Sequence, residues 1–242
     1  MKRLSWMVMA VVATAALAQG QSRAEKDGRK AAHEVARAMG LKDQQEIRAL
    51  RATFTQGEGA GASTVTATIL EPDHMRAEIK SARGTMTAVF TPQDAFLVAP
   101  DGSVHDVPAY QKQESLEQIV RDPLYLASHW KDPDIRFSQI GSDRVNGVPA
   151  EIVDIAAGAV RVRWFVEEKS KRLVREEYLA VGEHGRISAA TDLSDWRAMG
   201  GLVVPAKHEN YQDGRPTSVV TQTGLEVNPA VDAKAFERPA AR

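Results

Sequence analysis

A change in hydrophobic period most constrains the fold of this 242-residue chain. Before Gly40 apolar residues recur at steps of three and four, whereas beyond Gly40 they alternate with polar residues. The segment from Val160 to Trp164 shows this most clearly, because its even positions are apolar and its odd positions are basic. Alternation with a period of two is typical of half-buried β-strands. The pattern therefore predicts a mainly β domain with few helices.

Turn-forming residues separate the alternating segments. Gly57 to Gly61, Pro72-Asp73, Asn146-Gly147 and Asp213-Gly214 each lie between two such segments, as expected of hairpin loops. So many hairpins imply a large curved antiparallel sheet that wraps around its own helices or a cavity. We predict strands at residues 47–56, 63–70, 75–80, 84–91, 134–141, 148–156, 160–167, 171–181, 186–196, 202–212 and 216–227.

Two segments have a helical period. Apolar residues form a narrow stripe from Ala31 to Met39, and Gly40 stands where a C-terminal cap is expected. A second stripe runs from Gln113 to Trp130 but is interrupted at Asp122-Pro123. Aspartate suits an N-cap and proline suits the first helical position, so a short second helix should begin there. We predict that this central helix pair forms a lid over the sheet.

The first 18 residues are typical of a cleavable secretory leader. Lys2 and Arg3 give a positive start, Leu4 to Leu17 gives an apolar stretch, and Ala18 completes a small-x-small cleavage pattern. The alternative is a membrane anchor, but about 14 apolar residues fall short of the roughly 20 that a spanning helix needs. We expect cleavage near Ala18, export to the periplasm and no stable membrane anchor.

The remaining sequence is consistent with one domain. The charged segment at residues 19–30 is expected to be a flexible lead-in, residues 31–239 a single domain, and residues 240–242 a short tail.

Loss of the leader removes two basic residues and no acidic one, which lowers the net charge by two from −1. This slightly negative net charge gives no indication of the basic surface that nucleic-acid binding requires. The chain has no cysteine, which excludes a disulfide scaffold and thiolate chemistry. We expect a monomer.

No catalytic constellation stands out in the sequence. His33-Glu34 begins like a zinc-protease helix, but Arg37 occupies the position of the second ligand. The pair Glu176-Glu177 could imitate the two carboxylates of a glycosidase, yet neighbours on a strand point to opposite faces. We interpret this pair as part of a solvated face with cross-strand ion pairs. The sequence thus predicts a non-enzymatic protein without cofactor or metal.

Apolar side chains remain as the candidate binding feature. Each of them could belong to an ordinary core, but together they could line a pocket between the sheet and the lid. The expected feature is an apolar cleft of several hundred cubic ångströms beneath the central helices. The candidate lipid-binding residues are Ile69, Met75, Met86, Phe90, Leu116, Ile119, Val120, Leu124, Tyr125, Trp130, Val162 and Trp164.

Short motifs follow one another along the chain in a characteristic order. They are Phe54-Thr55-Gln56, Pro72 with Arg76 and Glu78, Asp94 to Gly102, Asp122-Pro123-Leu124, Asn146 to Ala150, Asp195-Trp196-Arg197 with Gly201 and Pro205, and Asn228-Pro229 with Phe236 and Pro239. Their order resembles that of the LolA-like family of outer-membrane lipoprotein-sorting proteins. The resemblance covers nearly the whole chain after the leader.

The resemblance implies an incomplete antiparallel barrel, closed by helices, whose apolar interior shelters acyl chains. At about 0.8 kcal/mol per methylene, a long acyl chain disfavours water by on the order of 12 kcal/mol, so transfer through an aqueous compartment needs such a shelter. The implied partners are lipoprotein acyl chains or a lipid, an inner-membrane transporter and an outer-membrane acceptor. One position departs from the family: LolA-type carriers often have a basic residue before the proline of the early turn, and this chain has Glu71.

A second function is compatible with the same architecture. A regulatory module of the RseB type would bind a membrane signalling protein, an anti-sigma factor, instead of carrying lipid. A hydrolase is the third possibility, but it would need convergent polar groups that the sequence does not reveal.

Overall fold

The structure is a computed structural model that describes residues 23–43, 45–57 and 61–239. The predicted leader at residues 1–18 and the predicted tail at residues 240–242 lie outside these described residues. Within them, no helix is long and apolar enough to cross a bilayer.

Thirteen antiparallel strands of the described residues form one sheet, which confirms the predicted mainly β fold. The strands are β1 (Ala49–Gln56), β2 (Ser63–Leu70), β3 (His74–Ser81), β4 (Gly84–Phe90), β5 (Ala95–Val98), β6 (Val104–Asp106), β7 (Ile135–Val145), β8 (Val148–Ala157), β9 (Val160–Glu167), β10 (Leu173–Gly182), β11 (Gly185–Met199), β12 (Leu202–Gln212) and β13 (Arg215–Val227). Their order in the sheet is β6-β5-β4-β3-β2-β1-β13-β12-β11-β10-β9-β8-β7. β6 and β7 are therefore the two edges, and the sheet is not closed into a barrel.

The predicted alternating segments correspond to β1 to β4 and β7 to β13. Strand boundaries differ by a few residues, the largest changes being that β7 continues to Val145 and β11 to Met199. β5 lies within the motif Asp94 to Gly102, but neither β5 nor β6 was among the predicted alternating segments, because strands of four and three residues are too short to display a period.

Helix α1 spans residues 23–38 and begins eight residues before its predicted start. The expected flexible lead-in was therefore wrong for residues 23–30. Gly28 is buried against β7, and the Arg29 guanidinium donates hydrogen bonds of 2.8, 3.0 and 2.9 Å to main-chain carbonyls. These contacts hold a charged segment in place without any apolar stripe. The accepting carbonyls belong to Trp130, Asp132 and Ile135.

The central helical segment is divided as predicted. α2 spans Ala109–Arg121 and α3 spans Pro123–Ser128. Between them the Asp122 carboxylate accepts hydrogen bonds from the backbone N–H groups of Leu124 (2.8 Å) and Tyr125 (3.3 Å). This geometry confirms the predicted N-cap. Trp130, expected on the second helix, lies beyond its end.

The topology places α2 and α3 across the open side of the sheet. β6 and β7 follow each other along the chain but lie at opposite edges of the sheet. The segment that joins them must cross from one edge to the other. α2 accordingly contacts β3 and β4 on one side and β9 and β10 on the other. The helices thus lie over the hollow of the curved sheet, as a lid would.

Two apolar clusters fill the hollow from opposite sides. α1 and α3 pack in the main cluster, which contains the fully buried Trp164 and the side chain of Leu124. α2 contributes Ile119 to a smaller cluster with Met75 and Phe90. The space between these clusters is the candidate site.

Candidate functional site

An apolar cavity of about 120 Å³ lies where the lid meets β1, β2 and β3. The lid closes it with Ile119 of α2 and Leu124 of α3, and Met39, just beyond the end of α1, also lines it. Most of its lining is aliphatic or aromatic, which makes it an environment that favours hydrocarbon over water. The other apolar lining residues are Leu50, Ala52, Phe54, Ala67, Ile69, Met75, Val204 and Leu225.

A second cavity of about 280 Å³ adjoins the first. The two cavities have Phe54, Gln118, Asp122, Pro123 and His208 in common. The larger one extends toward β10 and β11 and has many polar groups in its lining. The expected apolar cleft of several hundred cubic ångströms was therefore wrong in size and character, because a small apolar end beneath the two helices continues into a larger polar end. The polar end adds Gln56, Arg121, Glu176, Thr191 and Asn210.

Glu176 is the most unusual group in this lining. It is 8% exposed, and its Oε2 is buried without a hydrogen-bond partner among the described residues. Burial, with a smaller contribution from nearby Asp122, raises the pKa of Glu176 to about 8. The interpretation of Glu176 as part of a solvated face was wrong. It shares a strand face with Ala180, whose side chain is buried, and Glu177 takes the other face and pairs with Arg175 at 3.0 Å.

Glu71 is a second carboxyl held near the lid. Its Oε1 is buried without a partner among the described residues, and burial followed by the nearby Asp122 raises its pKa to about 8. Asp122 is itself buried, which raises its pKa, although the hydrogen bonds from the start of α3 oppose this shift. Glu71, Asp122 and Glu176 thus place three carboxyls around the junction of the two lid helices.

Arg121 is the cation nearest to this acidic group, and it already has a partner. Arg121 is 6% exposed, and its guanidinium forms an ion pair with Glu114 and lies over the Tyr178 ring at 4.2 Å from the ring centroid. Glu114 also accepts a 2.6 Å hydrogen bond from the backbone N–H of Val181. Both residues belong to α2, and their contacts with Tyr178 and Val181 attach this helix to β10.

Asn210 and His208 of the larger cavity also have hydrogen-bond partners. Asn210 accepts a 3.0 Å hydrogen bond from Thr191 and donates one of 3.0 Å to Ser218. The imidazole of His208 is paired with the Pro205 carbonyl at 3.1 Å, and burial lowers its pKa. Glu176 is therefore the lining side chain whose buried oxygen still needs a donor.

Four of the twelve candidate lipid-binding residues line the apolar cavity: Ile69, Met75, Ile119 and Leu124. Leu116 and Val120 line instead a separate, open recess of about 350 Å³ and pack against the two apolar clusters. Phe90 packs beneath α2, and Tyr125 and Trp130 pack at the edge of the main cluster, where Trp130 stacks on His33 at 4.1 Å. Met86 lies on β4, half-buried and outside the cavity lining.

Val162 and Trp164 lie apart from the cavity beneath the lid. Trp164 is at the centre of the main cluster, beside Phe137 at 6.4 Å between ring centroids. Val162 borders a wide groove of about 840 Å³ near the start of α1, where Arg163 and Asp154 form a 2.7 Å ion pair. This groove is charged and open, so it offers little shelter for hydrocarbon.

The polar part of the site was missed by reasoning from the sequence. Glu176, His208 and Asn210 are separated along the chain and come together only through the register of β10, β11 and β12. Of these three residues, only Glu176 could have been recognised from the local sequence, because its position alternates in step with the residues on the apolar face of β10. Among the described residues, no three histidine, aspartate or glutamate side chains are arranged to hold a metal ion.

Comparison with solved structures relates this architecture to known folds. The chain is similar to a LolA superfamily protein from Nitrosomonas europaea (TM-score 0.56, 10% identity, covering 89% of this chain and 98% of that one). It is also similar to a DUF1329 family protein from Desulfovibrio piger (0.55, 11%, 88% and 97%) and to a putative outer membrane lipoprotein-sorting protein domain from Vibrio parahaemolyticus (0.51, 10%, 88% and 97%). No protein-family model and no curated protein matches the sequence. The likeness concerns the fold, and it confirms the predicted LolA-like architecture.

Proposed function

We propose that this protein is an exported, periplasmic carrier that shelters an acyl chain of a lipoprotein or lipid beneath α2 and α3. The observation that carries the proposal is the apolar cavity between the lid and β1 to β3, into which Ile69, Met75, Ile119 and Leu124 project. A non-enzymatic role agrees with a cavity that is lined mainly by apolar side chains beneath the lid. Delivery would involve an inner-membrane transporter and an outer-membrane acceptor.

The size of the cavity requires the lid to move. Its apolar part is about 120 Å³, below the roughly 300 to 1,000 Å³ usual for ligand pockets, so a long chain needs additional space. α3 has three buried side chains in its six residues, whereas α2 buries only Ile119 and Arg121 in thirteen. We therefore infer that α2 swings outward while α3 stays in the main cluster.

Uptake of a labelled fatty acid tests the proposal. The protein would be purified from the periplasm without detergent, its organic extract analysed by mass spectrometry, and the protein titrated with an anthroyloxy-labelled stearate. We expect co-purified acyl species and saturable binding with one chain per protein. An empty protein that takes up neither the labelled stearate nor an uncharged or cationic alkyl ligand would refute the carrier function.

A cavity-filling pair of variants locates the binding. Ala67 lines the apolar cavity, and Thr66 is its neighbour on the opposite face of β2. Ala67→Phe should weaken stearate binding by at least about tenfold, equivalent to roughly 1.4 kcal/mol, because the ring occupies the space of the ligand. Thr66→Phe adds the same ring outside the cavity and should bind as the wild type does. Equal binding by both variants would place the ligand elsewhere.

Affinity capture from solubilised membranes separates the carrier from the regulatory alternative. A carrier should retain lipoproteins or subunits of a transporter, and Ala67→Phe should release the lipoproteins. A regulator of the RseB type should retain a single anti-sigma protein in equal amount, regardless of the cavity variant.

A further inference from the structure

The polar end of the cavity carries more carboxyl groups than cations. Glu176 of β10 faces Asp122 and Arg121 of the lid, with Tyr178 on its own strand and His208 on β12. Arg121 is neutralised by Glu114, and burial keeps His208 neutral by lowering its pKa. Glu71 approaches Asp122 from the β2–β3 turn. No described cation is therefore left to balance Glu176 or Asp122.

We propose that the carried molecule is an amphiphile with an ammonium head group, which donates to Glu176 while its chain occupies the apolar cavity. The inference rests on the carrier function proposed above and specifies its ligand. Glu176 Oε2 is buried, lacks a partner among the described residues, and belongs to a side chain that lines the cavity. The adjoining cavities are arranged in the order that such a molecule needs, with the polar end beyond the apolar end.

Binding of this head group releases a proton. In the empty cavity Glu176 holds a proton below a pKa of about 8, because burial disfavours its anion. An ammonium group stabilises the anion, so the carboxyl ionises as the ligand enters and the proton goes to the buffer. The site gains one positive charge from the ligand and loses one proton, so its net charge is unchanged. The ionised Glu176 carboxylate then compensates the charge of the buried ammonium group, which would be costly to bury without a partner.

Matched alkyl ligands test the head-group preference. Decylamine and decanol have the same chain and differ in charge, and each would be titrated below its aggregation concentration by calorimetry at pH 7. We expect decylamine to bind roughly 10-fold to 100-fold more tightly than decanol, because a hydrogen bond to a charged group contributes a free energy of this size. Titrations in two buffers of different ionisation enthalpy should give release of about one proton for decylamine and none for decanol.

Variants on the two faces of β10 assign the effect to one carboxyl. Glu176→Gln keeps the shape and cannot ionise, so it should bind both ligands equally and release no proton. Glu177→Gln changes the same group on the opposite face and should retain the wild-type preference. The proton count on the wild type keeps the inference falsifiable even if Glu176→Gln does not fold.

The outcomes distinguish the ligand class from the carrier function itself. If decanol and decylamine bind with equal affinity and without proton release, the proposed ammonium head group is refuted. The proposed carrier function is not affected by that result. Failure of both ligands and of labelled stearate to bind would refute the carrier function and, with it, the ligand class.

Discussion

The main chain of Gly28 lies directly against the main chain of Phe137. A Cβ atom built on Gly28 would lie 2.6 Å from the carbonyl carbon and oxygen of Phe137 and 2.6 Å from the amide nitrogen of Ser138. α1 can therefore approach β7 this closely only because residue 28 has no side chain. The contact explains how the charged segment before Ala31 packs against the sheet edge.

Replacement of Gly28 should separate α1 from the sheet edge. Gly28→Ala improves helix propensity, but its methyl group meets backbone atoms that cannot move aside cheaply. We expect the free energy of unfolding to fall by about 1–3 kcal/mol, as for other overpacked sites. Urea denaturation measures this change. Lys26→Ala, at an exposed position on the same helix, should stay within about 0.5 kcal/mol of the wild type.

The cap at Asp122 should decide whether α3 stays folded. Asp122→Ala removes the acceptor for the N–H groups of Leu124 and Tyr125 and should cost about 0.5–2 kcal/mol. Hydrogen exchange of these two amides should accelerate more than that of amides in β12. Asp122→Asn retains an oxygen acceptor and should protect them nearly as well as the wild type. Equal acceleration in both variants would mean that the charge, and not the cap, holds α3.

The pair Arg121–Glu114 should attach α2 to the sheet. Arg121→Met leaves a partly buried carboxylate without its cation, and we expect a loss of up to about 3 kcal/mol in the free energy of unfolding. Adding Glu114→Gln removes the stranded charge and keeps an acceptor for the Val181 amide. The double variant should therefore be more stable than Arg121→Met alone. A double-mutant cycle by urea denaturation measures the coupling, and strictly additive effects would contradict the pair.

The strands were predictable because their signal is local. Alternation within a segment such as Val160 to Glu167 depends only on neighbouring residues, and turn residues such as Asn146-Gly147 mark its end. The helix pair was predictable for the same reason, since Asp122 caps α3 within its own first turn.

Features that depend on distant partners were not predictable in this way. Residues 23–30 contain no apolar stripe, and their stability comes from Gly28 against β7 and from Arg29 on carbonyls about a hundred residues away. Alternation did separate Glu176 from Glu177, but a charge-rich strand suggested solvent on both faces. Which face turns inward depends on the lid that crosses β10.

The burial of Glu176 should make stability depend on pH in a defined direction. Its pKa is about 8 in the folded protein and 4.5 when exposed, so the folded state holds more protons between these values. The contribution of Glu176 to the free energy of unfolding is fully present below pH 4.5. It falls by up to about 1.4 kcal/mol per pH unit as the pH rises, and it is lost once the pH has risen through 8.

Glu176→Gln cannot ionise, so its free energy of unfolding relative to the wild type should increase from pH 5 to pH 8 and level off above that. The comparison of variant with wild type cancels His208, whose lowered pKa acts in the opposite direction. Glu177→Gln, on the outer face, should show no such growth. Urea denaturation across this range provides the measurement, and a constant difference for Glu176→Gln would mean that the carboxyl is ionised in the empty cavity and already has a cation beside it.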